Sequence, residues 1–379
     1  MSSQQAHFTI WPLYVFSFFA QLIVRYQAKR AVEQARRQVA EAIGALPSEI
    51  SFTSGGSEAN SWVLRGVADS FKNKSIHIIT TTIEHHSVLN ACRVLETMGV
   101  EVSYLPVDSE GVTSVESLKG AIRPNTKLVS IMLANNEIGT IQPIAEIGMF
   151  LHAQGIWLHT DAVQAVGHIP VKVDEFHIDF LSASAHKFNG AKGTGFLYMR
   201  QGLSLPNLIF GGEQEHGYRA GTENVAGIVA MGAAIAESVG EMGKNAEKLQ
   251  AMIQETIMII REHVPAVRVN GKQQARLPGT INFGFDGVAG EVLMNLLDLR
   301  GICVSTSSAC NSGKSEPSHV LRALGQNEQQ AKSAIRISYG KYNTIADAAA
   351  VATAVCDSYD KIVKARRRHL DSGSRKDKL

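Results

Sequence analysis

Cys310 lies in a hydrophilic stretch, STSSACNSG at residues 305–313. A structural cysteine usually sits among apolar residues, where it behaves as a small hydrophobe. The chain contains Cys92, Cys303, Cys310 and Cys356, without a CxxC pattern or a Cys/His pair at zinc-ligand spacing. This argues against a structural metal site and a disulfide framework, and it favours a reducing, cytoplasmic compartment. A nucleophile and an ordinary surface-loop cysteine both remain open at this point.

A second chemical feature is the sequence SGGSE at residues 54–58, directly after the β-rich run ISFT. Gly55 and Gly56 allow a sharp turn, and Ser57 opens a run of residues with helical spacing. The unpaired amides at a helix N-terminus, together with the Ser57 hydroxyl, suit a phosphate group. The same residues also form a common turn and helix cap, so this motif alone does not establish a phosphate site.

Asp161 and Lys187 each follow a predicted apolar strand, at residues 156–160 and 179–184. A buried carboxylate needs a cationic partner or must stay protonated. A lysine in a partly apolar site can act as an amine nucleophile. Further polar residues come at predicted strand ends: His85, His86, Asn135, Asn136, Glu137, Gln164 and His186. Taken singly, each is also explained as a turn, surface or core residue.

Taken together, these residues supply what a pyridoxal phosphate site needs. The phosphate needs a cradle, the pyridine nitrogen needs a carboxylate, the ring needs a flat side chain to stack on it, and the aldehyde needs a lysine amine. In open α/β sheets, ligands bind beyond the carboxyl ends of the strands, which is where these residues fall. The shared placement predicts one site for this cofactor.

The elements that position these residues alternate between strand and helix. An amphipathic helix is predicted from Gln27, ending at Gly44. The predicted strands are 50–53, 77–81, 101–107, 127–133, 156–160, 179–184 and 195–199, and predicted helices include 57–70, 85–98 and 143–154. Such alternation indicates an α/β fold with a large, doubly wound, mostly parallel sheet.

The C-terminal part of the chain has a different pattern. A long helical region at 223–263 is followed by strands predicted at 280–285, 302–305 and 334–340, with helices near 289–299 and from about 344. This indicates a smaller α+β domain. The predicted division of the chain is an atypical apolar segment at 1–26, a large domain at 27–260, a small domain at 261–365 and a basic, disordered tail at 366–379.

The composition is that of a soluble enzyme, with 45% apolar and 19% charged residues. A net charge of +2 gives no reason to expect a nucleic-acid partner. Residues 8–24 are uncharged and aromatic-rich, but they are short for a membrane span and contain Pro12 and Gln21. A packed segment is therefore favoured over a membrane anchor, and no signal-peptide pattern is evident.

The motifs together resemble the class V, fold-type I pyridoxal phosphate enzymes, and more narrowly the cysteine desulfurases of nitrogen fixation and iron–sulfur cluster assembly. The resemblance covers about residue 27 to about residue 360. The motifs follow the family's order: FTSGGSEAN, ANNEIG, HTDAVQAVG, SASAHK, FGGEQEHGYRAGTEN, STSSACNSG with EPSHVLRALG, and IRISYG. Their joint occurrence is highly specific.

The resemblance implies a role for each matched site residue. Lys187 forms the Schiff base with the cofactor, Asp161 pairs with the pyridine nitrogen, and His85 stacks on the ring and serves in acid–base steps. Arg336 binds the substrate carboxylate through the paired hydrogen bonds that arginine can make. The other implied ligands are Gln164 and Asn136 at the ring hydroxyl, with Asn136 also near the substrate, Gly56, Ser57, Ser184 and His186 at the phosphate, and Thr222 from the other subunit of a homodimer.

Cys310 matches the family's mobile-loop cysteine, which takes sulfur from L-cysteine as a persulfide and passes it to an acceptor or cluster-scaffold protein, leaving L-alanine. No resident metal ion is expected, although Cys310 could transiently ligate a nascent iron–sulfur cluster. A selenocysteine lyase is the nearest alternative, and a class V aminotransferase would leave Cys310 without a task. Residues 1–26 match neither N-terminal motif of the family, so a cofactor-binding scaffold with impaired catalysis is a third hypothesis.

Overall fold

The computed structural model describes the backbone of residues 11–72, 74–306 and 316–376 and, within these ranges, the side chains from Tyr26 to Arg368. Two sheets organise it. The larger sheet has the strand order β1-β7-β6-β5-β4-β2-β3, and only β7 runs antiparallel to its neighbours. Its strands are β1 (Ile50–Thr53), β2 (His77–Thr81), β3 (Glu101–Leu105), β4 (Thr126–Ser130), β5 (Trp157–Asp161), β6 (Phe180–Ser184) and β7 (Gly195–Met199). The predicted doubly wound, mostly parallel α/β fold is confirmed.

Helices cover both faces of this sheet. They are α1 (Trp11–Ile43), α2 (Gly56–Ser70), α3 (His86–Thr97), α4 (Val115–Ala121), α5 (Ile144–Ala153) and α6 (Val225–Gly240). Successive residues of a strand point to opposite faces of the sheet. In β7, Phe196 and Tyr198 pack with α1 and α6, whereas Leu197 packs with α2 and α3. Helices α1 and α6 approach so closely that a Cβ at Gly232 would lie 2.6 Å from the Ala35 Cα, which explains the glycine there.

The smaller sheet is antiparallel, in the order β10-β9-β8. Its elements and those around it are α7 (Met242–His263), β8 (Arg268–Asn270), β9 (Thr280–Gly284), α8 (Gly290–Asp298), α9 (His319–Ala323), α10 (Glu328–Lys332), β10 (Ala334–Ser338) and α11 (Ile345–Lys376). Phe283 and Phe285 are fully buried in its core, together with apolar residues of α7 and α11. The predicted α+β character of this part is therefore found, although α7 and α11 run across the predicted domain limits at 260 and 365, which stay a prediction.

Beyond shifts in element bounds, such as the start of α1 at Trp11 where Gln27 was predicted, two predicted features differ from the structure. The strand predicted at 302–305 is reduced to a single bridge between Ser305 and Arg336, because Ile302 and Val304 alternate toward the small core without pairing. The tail expected to be disordered from residue 366 continues helix α11 as far as Lys376. Extending an existing helix costs far less free energy than nucleating a new one, so the packed part of α11 allows the helix to continue into the polar residues that follow.

Among the described residues, no single helix is long and apolar enough to cross a membrane. The helices α6 and α7 meet that test only as a pair, and they are bent by 69° relative to each other.

Candidate functional site

A cavity of about 210 Å³ lies at the carboxyl ends of the large-sheet strands, facing β10 of the small sheet. It collects residues from five of the seven motifs named above, and these residues are separated by up to 280 positions, from Gly56 to Arg336. Its predicted site residues are Gly56, Ser57, His85, Asn136, Asp161, Gln164, Ser184, His186, Lys187 and Arg336. The strand ends therefore meet as the sequence predicts for an α/β sheet.

Asp161 is the last residue of β5 and is only 5% exposed. Its Oδ2 accepts a hydrogen bond from Asn60 Nδ2 at 2.7 Å, and its Oδ1 accepts one from the Val163 amide at 3.0 Å. Burial raises the pKa of Asp161, while these hydrogen bonds and the nearby His85 and Lys187 act to lower it. A cationic ring nitrogen in the cavity would favour the carboxylate further.

Lys187 lies in a 3₁₀ turn, Ala185–Phe188, directly after β6. The turn ends at Asn189, which adopts a left-handed conformation. His168 Nε2 donates to the Lys187 carbonyl at 2.7 Å and so fixes the backbone that carries the lysine. The lysine is half-buried and faces the cavity that Asp161 also lines.

His85 caps helix α3 with its own ring. Its Nδ1 accepts from the Ser87 amide at 3.2 Å and lies 2.8 Å from Ser87 Oγ, so the neutral ring carries its proton on Nε2. Burial lowers the pKa of His85, and nearby Asp161 opposes that effect. The imidazole is therefore a flat, largely uncharged surface at neutral pH.

A single amide connects the acid and the histidine. Asn60 Nδ2 donates both to Asp161 Oδ2 at 2.7 Å and to Ser87 Oγ at 2.9 Å, and Ser87 in turn holds His85. Asn60 is 1% exposed, and its Oδ1 is buried without a hydrogen-bond partner among the described residues. Asn60 was not predicted, although it follows Ser57 by three positions and thus lies on the same helix face.

The four residues predicted to bind a phosphate line one cavity of about 360 Å³, and we call them the phosphate cradle: Gly56, Ser57, Ser184 and His186. Gly56 and Ser57 are the first residues of α2, where backbone amides have no intrahelical acceptor. A Cβ at Gly56 would lie 2.5 Å from Val163 Cγ2, so only glycine lets the backbone come this close. Ser184 Oγ and His186 Nδ1 are 3.0 Å apart.

Lys192 also lines the cavity of the phosphate cradle, and sequence reasoning missed it. It lies five residues after Lys187, in the turn AKGTG that leads into β7. Burial and the neighbouring Lys187 and Lys192 charges lower the pKa of His186. The exposed Lys192 ammonium adds a cation where a phosphate would bind.

Arg336 comes from β10 and closes the opposite side of the cavity. Its Nη1 donates to the Asn136 carbonyl at 2.8 Å, and its Nε is buried without a partner among the described residues. The Arg336 backbone pairs with Ser305 through two hydrogen bonds of 3.0 and 2.7 Å. Arg336 also lines a second cavity of about 290 Å³, together with Lys187 and Asn136, and it therefore lies where the two cavities adjoin, which we call the cleft.

Two predicted residues are not part of this arrangement. Thr222 is exposed and lines a neighbouring cavity with Ser54, Gly193 and Arg219, outside the phosphate cradle of its own chain. Cys310 lies outside the described residues, within 307–315. Among the residues that the structure does describe, no group of three or more His, Cys, Asp or Glu side chains could hold a metal ion.

The donor set fits pyridoxal phosphate. A buried carboxylate, a flat imidazole, a lysine and a helix N-terminus with nearby hydroxyls line one cavity. The close approach at Gly56 and the unpartnered Asn60 Oδ1 and Arg336 Nε leave polar groups available to a ligand. The arrangement can stabilise negative charge on a carbon next to an amine held at Lys187.

Comparison with known proteins agrees with this chemistry. Residues 21–351 match the family model described as aminotransferase class-V. The chain is 50% identical over 321 residues to a cysteine desulfurase IscS of Dictyoglomus turgidum (85% of this chain, 82% of that one), and 48% identical over 343 residues to one of Clostridium botulinum strain Hall (90% and 85%). A solved NifS-like protein superposes with a TM-score of 0.82 at 38% identity, covering 88% of each chain.

Proposed function

The chain belongs to the aminotransferase class-V family and, within it, to the cysteine desulfurases, and from this premise we propose that it removes sulfur from L-cysteine with pyridoxal phosphate. The products are L-alanine and a persulfide on Cys310, for iron–sulfur cluster assembly or thiolation. The observation that carries the proposal is the convergence of Asp161, Lys187 and the phosphate cradle on one cavity opposite Arg336.

The cofactor would be held at five places. Lys187 offers the amine for the aldehyde carbon, Asp161 offers the carboxylate for the ring nitrogen, and His85 offers its face to the ring. Gln164 and Asn136 are available to the ring hydroxyl, and the phosphate cradle takes the phosphate. When bound, pyridoxal phosphate supplies an electron sink for the carbanion formed at the substrate Cα.

The protein's own residues bind and orient the substrate. Arg336 presents a guanidinium to the substrate carboxylate, which fixes the Cα–H bond relative to the ring plane. Lys187 and His85 exchange protons with the substrate, His85 at Nε2. The Cys310 thiolate then attacks the substrate sulfur, so that an S–S bond forms while the C–S bond breaks, and the three-carbon fragment takes up protons to become alanine.

Beyond L-cysteine, we propose a sulfur-acceptor or scaffold protein as partner and a homodimer as the working form. Two features support the dimer: Thr222 matches a phosphate ligand of the family, and it lies outside its own chain's phosphate cradle. The cysteine usage favours a cytoplasmic location, since Cys92, Cys303 and Cys356 are free thiols.

The test is sulfide and alanine release from L-cysteine by wild type, Cys310→Ala and Cys303→Ala. Cys303 is a matched control because it is an exposed free cysteine seven positions away. We expect Cys310→Ala to keep the visible absorbance of the cofactor and to lose about a hundredfold or more in sulfide release, while Cys303→Ala behaves as wild type.

Normal turnover of L-cysteine by Cys310→Ala would contradict the proposal that Cys310 carries the persulfide. Turnover of selenocysteine alone would assign the chain to the selenocysteine lyases instead. A yellow wild-type protein that releases neither product would favour a cofactor-binding scaffold.

A further inference from the structure

The first turn of α2 carries a carboxylate at the place where a phosphate should bind. Glu58 directly follows Gly56 and Ser57 and lines the same cavity of about 360 Å³. Its Oε2 accepts hydrogen bonds from the Ser54 amide at 2.8 Å and from Ser54 Oγ at 2.5 Å, which shape the turn between β1 and α2. An anion at a helix N-terminus is favourable by itself, but here it shares the positive end of the helix with a second anion.

Arg219 pairs with this carboxylate through two hydrogen bonds. Its Nε donates to Glu58 Oε1 at 2.9 Å and its Nη2 donates to Oε2 at 3.2 Å. The two side chains are only 21% and 10% exposed, so water screens the pair incompletely. Burial acts to raise the pKa of Glu58, but the hydrogen bonds from Arg219 and Ser54 outweigh it and hold the pKa below its ordinary value. Glu58 is therefore charged at neutral pH.

We infer that Arg219 is a charge-compensating residue for the cofactor: it neutralises Glu58, so that the phosphate cradle can accept a phosphate of two negative charges. This rests on pyridoxal phosphate as the proposed cofactor. Without Arg219 the Glu58 carboxylate would repel the phosphate across a partly buried cavity, where such repulsion is stronger than in water. Lys192 lines this cavity, whereas Arg219 lines the neighbouring cavity of about 150 Å³ together with Ser54 and Gly193.

The segment that carries Arg219 has a second anchor, which makes the role of its charge separable from a role in folding. Arg36 Nη1 and Nη2 donate to Glu215 Oε2 and Oε1 at 2.7 and 3.0 Å, and the Phe52 amide also donates to Oε2 at 2.9 Å. Arg36 is 2% exposed and Glu215 is 5% exposed. Loss of Arg219 therefore leaves the segment attached to α1 and β1.

The test measures the dissociation constant of pyridoxal phosphate, so it does not depend on desulfurase activity. The full-length chain, stripped of cofactor, is titrated with pyridoxal phosphate as wild type, Arg219→Gln, Glu58→Gln and the double variant. We expect Arg219→Gln to weaken binding about tenfold, with a smaller effect at high salt, and the double variant to recover most of that loss. Glu58→Gln alone should bind severalfold more tightly, because Arg219 is then uncompensated.

Recovery of cofactor binding in the double variant distinguishes charge compensation from structural support of the segment that carries Arg219. Structural support would be lost in the single and the double variant alike, because both lack Arg219. Equal weakening in the single and double variants, or no weakening in Arg219→Gln, would overturn the inference. If Arg219→Gln does not fold, Glu58→Gln still tests the inference. Unchanged or weaker binding of pyridoxal phosphate by Glu58→Gln would contradict charge compensation by Arg219. Arg123→Gln is the control, since Arg123 pairs with Glu101 at 2.6 Å on an exposed surface away from the phosphate cradle.

Discussion

The two sides of the cleft are built in different ways. On the large-sheet side, the functional groups lie at the ends of several strands: the phosphate cradle at β1 and β6, Lys187 after β6, Asp161 at the end of β5, and His85 after β2. Asn60 then joins Asp161 to Ser87, and Ser87 holds His85. On the small-sheet side, Arg336 is the one described residue that lines the cavity, held by the Asn136 carbonyl and by Ser305.

Under the proposed function, this difference separates the residues that hold the cofactor from the residue that binds the substrate carboxylate. The large-sheet side is fixed by buried hydrogen bonds, so its geometry survives changes in the other part. The small-sheet side reaches the other part through Arg336 Nη1, which donates to the Asn136 carbonyl. The stretch with Cys310 is flanked by Ser305, whose backbone pairs with that of Arg336, and by Ser318, whose Oγ donates to Glu137 Oε2 at 2.6 Å. Substrate binding and sulfur transfer are therefore expected to be sensitive to changes that leave the cofactor in place.

The largest expected effect is on the large-sheet side. Lys187→Ala should lose the visible absorbance of the bound cofactor and about a thousandfold or more of desulfurase activity, because no other amine replaces the nucleophile. Absorbance spectra and alanine release check this, with Lys172→Ala, an exposed lysine, as the control. Substantial activity in Lys187→Ala would show that the cofactor is held elsewhere.

A smaller and different effect is expected on the small-sheet side. Arg336→Lys keeps the charge but loses the paired geometry for a carboxylate, so KM for L-cysteine should rise about ten- to a hundredfold while the cofactor spectrum stays unchanged. Steady-state kinetics check this. Arg268→Lys, on β8 of the same small sheet, should leave KM unchanged. A loss of cofactor in Arg336→Lys would contradict the separation of the two sides.

The large-sheet side was the more predictable of the two. Alternating apolar runs give the strands, and residues at strand ends must meet at one edge of a parallel sheet, so nine of the predicted site residues, all from the large-sheet side, line one cavity. The missed residues act through contacts that spacing along the chain does not reveal. Glu58 and Arg219 are 161 positions apart, and Arg36 and Glu215 are 179 apart.

The small-sheet side was predicted less well, for a physical reason. Residues 302–305 alternate as a strand does, yet Ile302 and Val304 use that alternation to pack on the small core, and only Ser305 pairs. Strand β8 has three residues, too few for a periodic signal. The role of Arg336 came from the resemblance, because an arginine within an apolar strand gives no sign of what it faces.

The last expected effect is on stability and not on activity, and it concerns Glu84, a fully buried carboxyl directly before His85. Thr81 Oγ1 and the Met132 amide donate to it at 2.7 and 2.9 Å, but burial is the larger effect and raises the pKa of Glu84 to about 8. The unfolded chain releases this proton near pH 4.5, so the folded state holds one proton more between that pH and about 8. Stability should therefore fall as the pH rises through this window, by at most about 1.4 kcal/mol per pH unit.

Glu84→Gln removes this dependence, because the amide stays uncharged at every pH. Melting temperatures of wild type and variant at about pH 5 and about pH 8 should diverge in favour of the variant at the higher pH. Glu247→Gln, at an exposed position on α7, should show no such divergence. If both variants follow the wild-type curve, Glu84 is ionised in the folded state, and the three hydrogen bonds that it accepts outweigh its burial. The large-sheet side would then carry a second buried carboxylate behind His85, and the neutral form of that histidine would have to be explained against two negative charges, Asp161 being the other.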